Sequence, residues 1–411
     1  MKNIILICSL IILISFNFFA CEDSTEVPVP PQISSETELT DFLNDILSQT
    51  EVPGFAISIV KGNQLSYQEA FGFADVQAEK PYTNQSIQHL ASISKTFVAA
   101  ATLKAIEQGY FDLETDINDI LSVEIVNPKQ PDASIKVKHL MTHSSCLLDV
   151  AEIYLAENYH ILPGEDLSNE AAQSLVALGI EQRESRGLED MLAEYFLPDG
   201  ALYSLDNFAS SAPGTSWSYS NFATGLCAYL VETASGQSFD DYVKAEVLIP
   251  LGMTQSTYDL AEVNQAQQVK SYLNKSTAFP RYGNDSYVEG NLYTTNADLG
   301  KYLLNMVQGS QGDSEKLFPG STYQMLFQPQ LSTEIVPAVF ADDQAMYWYI
   351  EDGIVQHGGN SFGISTQLEF DPLTGEGFSL MTNLDASFDF SAYQKVMTMV
   401  RQGVNKYLQA N

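Results

Sequence analysis

The sequence predicts an α+β fold: an antiparallel sheet built from N- and C-terminal strands and flanked by helices, with a mostly helical lobe inserted between them. Three observations carry this expectation. Residues 55–60 and 65–71 read as strands, joined by Lys61-Gly62-Asn63-Gln64 as a hairpin turn. From about residue 113 to residue 340 the pattern is mostly helical with long connections. Strand signals return only near the C terminus, at 347–350, 354–356, 364–370 and 377–382, the last two joined by the turn at 371–375. Strands at both ends around a helical middle imply one shared sheet, and a cleft between two lobes is the usual place for a site.

Taken in order, the chain opens with a targeting segment at residues 1–20. Lys2 is the one charge before a run of Ile, Leu and Phe. Ala20 before Cys21 resembles a bacterial lipoprotein signal, which implies that Cys21 is lipidated and becomes the mature N terminus. Residues 21–37 then form a proline-rich tether, and the folded domain spans 38–411. Leu39, Phe42, Leu43, Ile46 and Leu47 keep helical spacing until Pro53 and Gly54 break it. A closing helix is expected over about 391–407.

Composition narrows the function. With 45% apolar and 11% aromatic residues, a chain of 411 residues can fill a core. Its formal charge of −33 repels nucleic acid and anionic lipid, which excludes both as main partners. Once Cys8 leaves with the signal and Cys21 carries lipid, Cys146 and Cys227 remain, without metal-type spacing. Neither a metal nor an organic cofactor is expected.

The central stretch is Ala91 to Phe97. Ser92 and Lys95 open a helix that is apolar from Phe97 to Leu103 except at Thr102, so it should be enclosed on most sides. Positions i and i+3 share a helix face, which lets Ser92 and Lys95 touch. A serine hydroxyl needs a base, and a lysine whose pKa is lowered by burial or by nearby positive charge can be that base. Helix N-terminal N–H groups beside Ser92 would suit a developing oxyanion. Ser58 and Lys61 share the spacing but lie on a predicted strand, where residues three apart face opposite ways.

Two further stretches stand out. Tyr219-Ser220-Asn221 follows a Pro213-Gly214 turn and precedes a helix that stops at Gly236. His357-Gly358-Gly359-Asn360 is expected at the end of a short strand, where glycines let a substrate approach the backbone. Gly359-Asn360-Ser361-Phe362-Gly363 matches a hydrolase elbow, but a strand follows it and no later histidine exists, so Ser361 is rejected as nucleophile.

Ser92 with Lys95, then Tyr219 with Asn221, then His357 with Gly358 and Gly359, in that order, resemble the serine β-lactamase and penicillin-binding-protein superfamily. The nearest branch is that of class C lactamases, D,D-peptidases and esterases. Stretches at 109–113, 139–145, 250–253 and 371–372 support the likeness, which covers about residues 38–408. The resemblance implies a β-lactamase/transpeptidase-like fold with the site between sheet and helical lobe. It implies that Ser92 is acylated, Lys95 helps remove its proton, Tyr219 relays a proton to the leaving group and Asn221 holds a substrate amide. It also implies an oxyanion hole from the backbone N–H of Ser92 and Asn360, with His357, Gly358 and Gly359 beside the substrate, and a structural His143. Three departures stand out: histidine at 357 where true lactamases and many penicillin-binding proteins have lysine, Cys146 for a glycine, and a long connection at 147–212, expected to form a helical lid.

The expected function is an exported, outer-membrane-anchored lipoprotein serine hydrolase acting through an acyl-enzyme on a small ester, D-amino-acid peptide or amide, or β-lactam-like substrate. Its partners would be that substrate and, through the lipid alone, the membrane. The rival is a catalytically silent binding or sensing module on the same fold.

Overall fold

In the computed structural model, described over residues 32–331, 334–387 and 390–410, the two chain ends meet in one sheet. The predicted signal segment, Cys21 and most of the tether lie outside the described residues. In chain order, the elements that position the site are helix α1 (Glu36–Gln49), strands β1 (Gly54–Lys61), β2 (Gln64–Asp75) and β3 (Lys80–Pro81), and helices α2 (Ser94–Glu107), α3 (Asn221–Ser235) and α4 (Asn296–Ser310). Strands β4 (Asp343–Gln344), β5 (Tyr349–Glu351), β6 (Ile354–Ser361), β7 (Ile364–Asp371) and β8 (Glu376–Thr382) and helix α5 (Phe390–Gln409) follow.

The eight strands lie in the order β4-β5-β6-β7-β8-β1-β2-β3, every pair antiparallel. β1 sits between β8 and β2, with Ile57 opposite Leu380 on one side and Glu69 on the other. It is covered on both faces, which explains why Phe55 to Val60 is buried throughout and apolar except at Ser58. On one face Phe55, Ile57, Ile59 and Leu380 pack against Leu39, Leu43 and Ile46 of α1 and Val396, Val400 and Val404 of α5. On the other, α4 crosses the strands, and the Ser58 hydroxyl donates to Asn296 Oδ1 at 2.8 Å.

α2 is buried continuously from Ser94 to Leu103, as its apolar sequence predicts. The inserted region carries short strand pairs besides its helices. Tyr159–Ile161 pairs antiparallel with Tyr282–Asn284, and Ile87–His89 with Tyr293–Thr295. The 147–212 connection is tied to the rest of the inserted region by the first of these pairs. Arg183 and Arg186 both reach the buried Asp285 carboxylate, at 2.8 and 2.9 Å.

Two local expectations are corrected. Ser92 lies in a 3-10 turn, Ala91–Ile93, that precedes α2 instead of opening it. The His357 to Asn360 stretch lies within β6 and not at a strand end, because the ladder to β7 continues through Gly358 opposite Gln367 and Asn360 opposite Ser365. Cys146 and Cys227 are both free and buried. The backbone at Cys146 is left-handed, φ 65°, a conformation that favours the glycine found there in the family the sequence resembles.

Candidate active site

Three elements converge on the Ser92 hydroxyl. The turn before α2 presents Ser92, the first turn of α2 brings Lys95 beneath it, and the segment leading into α3 supplies Tyr219. Lys95 Nζ donates to Ser92 Oγ at 3.1 Å and the Tyr219 hydroxyl donates to the same oxygen at 2.9 Å. Lys95 Nζ also lies 5.0 Å from the centre of the Tyr219 ring. Ala91, just before Ser92, is held at φ 49°, a left-handed conformation that costs a non-glycine residue about 1–2 kcal/mol and sharpens the turn on which Ser92 stands.

Lys95 corrects the idea that burial would lower its pKa. The side chain is fully buried, and desolvation does pull it down. Tyr219 and the Glu289 carboxylate outweigh that pull, so the net displacement is upward. Glu289 Oε2 lies 3.0 Å from Lys95 Nζ in a buried ion pair, and the Glu289 carbonyl oxygen accepts a further Lys95 hydrogen at 2.9 Å. The Tyr219 phenol is raised by its own burial, against the opposing pull of Lys95. At neutral pH the arrangement is therefore an ammonium and a neutral phenol, both pointing at the serine oxygen.

Asn221 is held by Asp149. That carboxylate accepts from Asn221 N at 2.6 Å, Asn221 Nδ2 at 2.9 Å, Ser220 Oγ at 2.8 Å and Phe222 N at 3.2 Å. It thus caps α3 and fixes the asparagine side chain. Burial pushes Asp149 up to about 6 in spite of these bonds. Behind Tyr219, His143 is buried with its ring 4.5 Å from the Tyr219 ring, and its Nδ1 accepts from Ser220 N at 3.3 Å.

β6 closes the other side. At Gly359 an added Cβ would lie 2.5 Å from the Leu90 carbonyl oxygen and 3.0 Å from the Ser92 nitrogen, so glycine permits the strand to approach the Ser92 turn. Asn360 lines the cleft with its side chain tied to Ser387 and Ser365, at 2.6 and 2.9 Å. His357 is fully buried beneath the strand, with its ring 5.1 Å from Tyr349. Burial, with a smaller contribution from Lys95, pushes it down to about 3, so it is neutral.

The cleft itself is small, about 30 Å³, and is lined by Ser92, Tyr219, Asn221, Asn360 and Glu289, with Tyr154 and Tyr159 from the 147–212 connection. Of the sequence-predicted residues, Ser92, Lys95, Tyr219, Asn221 and Asn360 come together, whereas His357, Gly358 and Gly359 do not line the cleft. Asp149, Tyr154 and Glu289 were not foreseen. A larger cavity of about 540 Å³ lies beyond Tyr282, whose hydroxyl meets Ser361 Oγ at 2.9 Å, and it does not include Ser92. Trp348 belongs to the core, packed against Tyr302 and Phe370.

The geometry sets a pH dependence. Turnover of an activated ester should fall on the acid side with a midpoint near pH 6 as Asp149 protonates and loses acceptor capacity for Asn221. An Asp149→Asn variant should lose that limb, and a limb unchanged in the variant would contradict the assignment. For stability the sign is opposite. The raised folded-state value means this group's contribution is fully present below the ordinary 3.8 and is lost as pH rises to about 6.

A serine held by a buried lysine and a tyrosine, between an antiparallel sheet and a helical lobe, defines a known class of chain. This one belongs to the family described as Beta-lactamase, a family of serine hydrolases, which it matches over residues 39–396. It is 28% identical over 232 residues to the esterase EstB of Burkholderia gladioli, covering 56% of this chain and 53% of that protein. It is 25% identical over 198 residues to penicillin-binding protein 4* of Bacillus subtilis, covering 48% of this chain and 36% of that protein. The chain thus spans about a third to a half of the length of these curated relatives. The octameric penicillin-binding protein homologue from Pyrococcus abyssi shares the fold, with a TM-score of 0.70, 23% identity, and coverage of 89% of this chain and 76% of that one.

Proposed function

We propose that the protein is an acyl-transferring serine hydrolase in which Ser92 attacks a small ester, a D-amino-acid peptide or amide, or a β-lactam-like carbonyl. The observation that carries this reading is the convergence of Lys95 Nζ and the Tyr219 hydroxyl on Ser92 Oγ, at 3.1 and 2.9 Å. Once one of these two groups has given up a proton, the pair can take the Ser92 proton and return one to a leaving group. The oxyanion would be met by the backbone N–H of Ser92 and of Asn360, on the strand brought close by Gly359. Asn221, whose side chain is fixed by Asp149, would hold a substrate amide.

A neutral, buried His357 supplies no positive charge to pair with a substrate carboxylate. This favours an ester or a neutral amide over a penicillin. Export and lipidation at Cys21 belong to the proposal and rest on the N-terminal sequence pattern. The test compares hydrolysis of a p-nitrophenyl ester, a D-alanyl amide and benzylpenicillin by protein made in a lipoprotein-processing bacterium. The ester or amide should be turned over at least about tenfold faster than the penicillin, a difference of about 1.4 kcal/mol in barrier. The mature mass should show lipid on Cys21. Penicillin as the preferred substrate would overturn the specificity, and no turnover of any of the three would favour the silent binding module.

A further inference from the structure

Lys95 is an incomplete base as it stands. Its ammonium has three hydrogens, and they are shared among Ser92 Oγ at 3.1 Å, the Glu289 carbonyl oxygen at 2.9 Å and Glu289 Oε2 at 3.0 Å, with the Tyr219 oxygen also in hydrogen-bonding contact. As an ammonium, Lys95 has no lone pair to offer the Ser92 proton. Tyr219 does not relieve this, since its hydroxyl is itself a donor to Ser92 Oγ.

Glu289 is built to receive a proton. Its side chain is about 3% exposed. Its Oε1 accepts from the Tyr154 hydroxyl at 2.7 Å and from Asn284 Nδ2 at 2.6 Å, which turns Oε2 towards Lys95. The groups facing it are Lys95 from α2, Tyr154 and Tyr159 from the inserted connection, Asn284 from the strand that pairs with it, and Tyr219 and Asp149 at the entrance to α3. Lys95 is the cation of this set. Two neutral donors on one carboxylate oxygen and an ammonium on the other fit a group that exchanges a proton on the Lys95 side alone.

We propose that Glu289 is the proton acceptor for Lys95: as Lys95 takes the Ser92 hydroxyl proton, it passes one of its own to Glu289 Oε2. The inference rests on the hydrolase reading above. In acylation the Ser92 oxygen forms a bond to the substrate carbonyl carbon while the C=O π pair moves to oxygen, and the serine proton goes to Lys95. Lys95 stays an ammonium and Glu289 becomes a neutral carboxylic acid. On collapse the leaving group departs with the Tyr219 proton, Tyr219 is reprotonated by Lys95, and Glu289 returns its proton to Lys95. The net transfer is one proton from Ser92 to the leaving group. Glu289 acts through Lys95 and is a positioning and proton-holding residue.

The test is the rate of Ser92 phosphonylation by a fluorophosphonate, in which the Ser92 oxygen bonds to phosphorus and fluoride leaves, between pH 6 and 9. Glu289→Gln keeps an acceptor for Tyr154 and Asn284 but holds no proton. It should slow phosphonylation by about 100-fold at pH 7, with a rate that climbs with pH where that of the wild type is level, because Lys95 must then lose its proton to solvent. Glu289→Asp, which keeps a carboxylate, should recover about tenfold over Glu289→Asn, and this pair decides the matter if the Gln variant does not fold. A Gln variant within threefold of wild type with the same pH profile, or Asp and Asn variants that are equally slow, would overturn the proposal. Failure of the wild type itself to react would remove the hydrolase reading before any variant is compared.

Discussion

Replacing Ser92 by alanine should abolish hydrolysis, with a loss on the order of 10⁴-fold or more in turnover, since removal of an attacking serine leaves only binding and oxyanion stabilisation. The fold should survive. Ser92 Oγ accepts from Lys95 and Tyr219, but Lys95 keeps both of its bonds to Glu289. The cost is therefore that of hydrogen bonds lost by Tyr219 and in part by Lys95, about 1–2 kcal/mol. Parallel measurement of ester turnover and of the denaturant midpoint separates the two effects. A variant that lost activity only because it unfolded would not support Ser92 as nucleophile.

Lys95→Ala should strike both stability and activity. The side chain is fully buried and paired with a carboxylate that is itself almost inaccessible. Removing one partner of a buried ion pair leaves an uncompensated charge and typically costs about 3–5 kcal/mol. Protonation of Glu289 offsets part of that cost, so the variant should lose less stability in acid than at neutral pH. That pH-dependent difference in unfolding free energy is the signature to look for. Turnover should fall by about 10²–10⁴-fold, the range expected when a positioned base is removed. Equal stability losses at pH 5 and pH 8 would show that the ion pair is not the source of the penalty.

These effects bear on why some of the site was legible in the sequence and some was not. Ser92 and Lys95 were legible because their spacing sits at the head of an apolar helix, and local helical geometry brings them together. Tyr219 and Asn221 stood out through the turn and helix around them. The sheet was legible from strand patterns at both chain ends, and the almost wholly apolar β1 follows from its cover on both faces. Glu289 was not legible, because its partner lies 194 residues away and nothing local marks a lone acid between Val288 and Gly290. Asp149 was hidden in the same way, since its bonds run to a helix entrance more than 70 residues further along the chain. The environment of His357 was misjudged because β6 continues past the last strand-like residue of the sequence. Gly358 and Gly359 look like a turn but are held in the ladder by β7, and Gly359 is small because the Ser92 turn lies against it.

The pairing of Lys95 with Glu289 also changes the electrostatic picture suggested by the sequence. Burial alone would favour a neutral lysine, whereas a carboxylate at 3.0 Å favours a charged one. The family resemblance implied a base at this position, and an ammonium that donates to Ser92 Oγ and twice to Glu289 would have to give up a proton before acting as one. The 147–212 connection bears on the same question, because it brings Tyr154 to the Glu289 carboxylate at 2.7 Å.

The most direct measurement is the mass of the intact protein after exposure, separately, to a fluorophosphonate and to benzylpenicillin, with Ser92→Ala as control. The account predicts one adduct per chain from the fluorophosphonate, located on Ser92 by peptide mapping and absent from the variant, with little or none from the penicillin. A fluorophosphonate adduct that persists in Ser92→Ala, or a wild-type chain that takes up neither reagent, would contradict it.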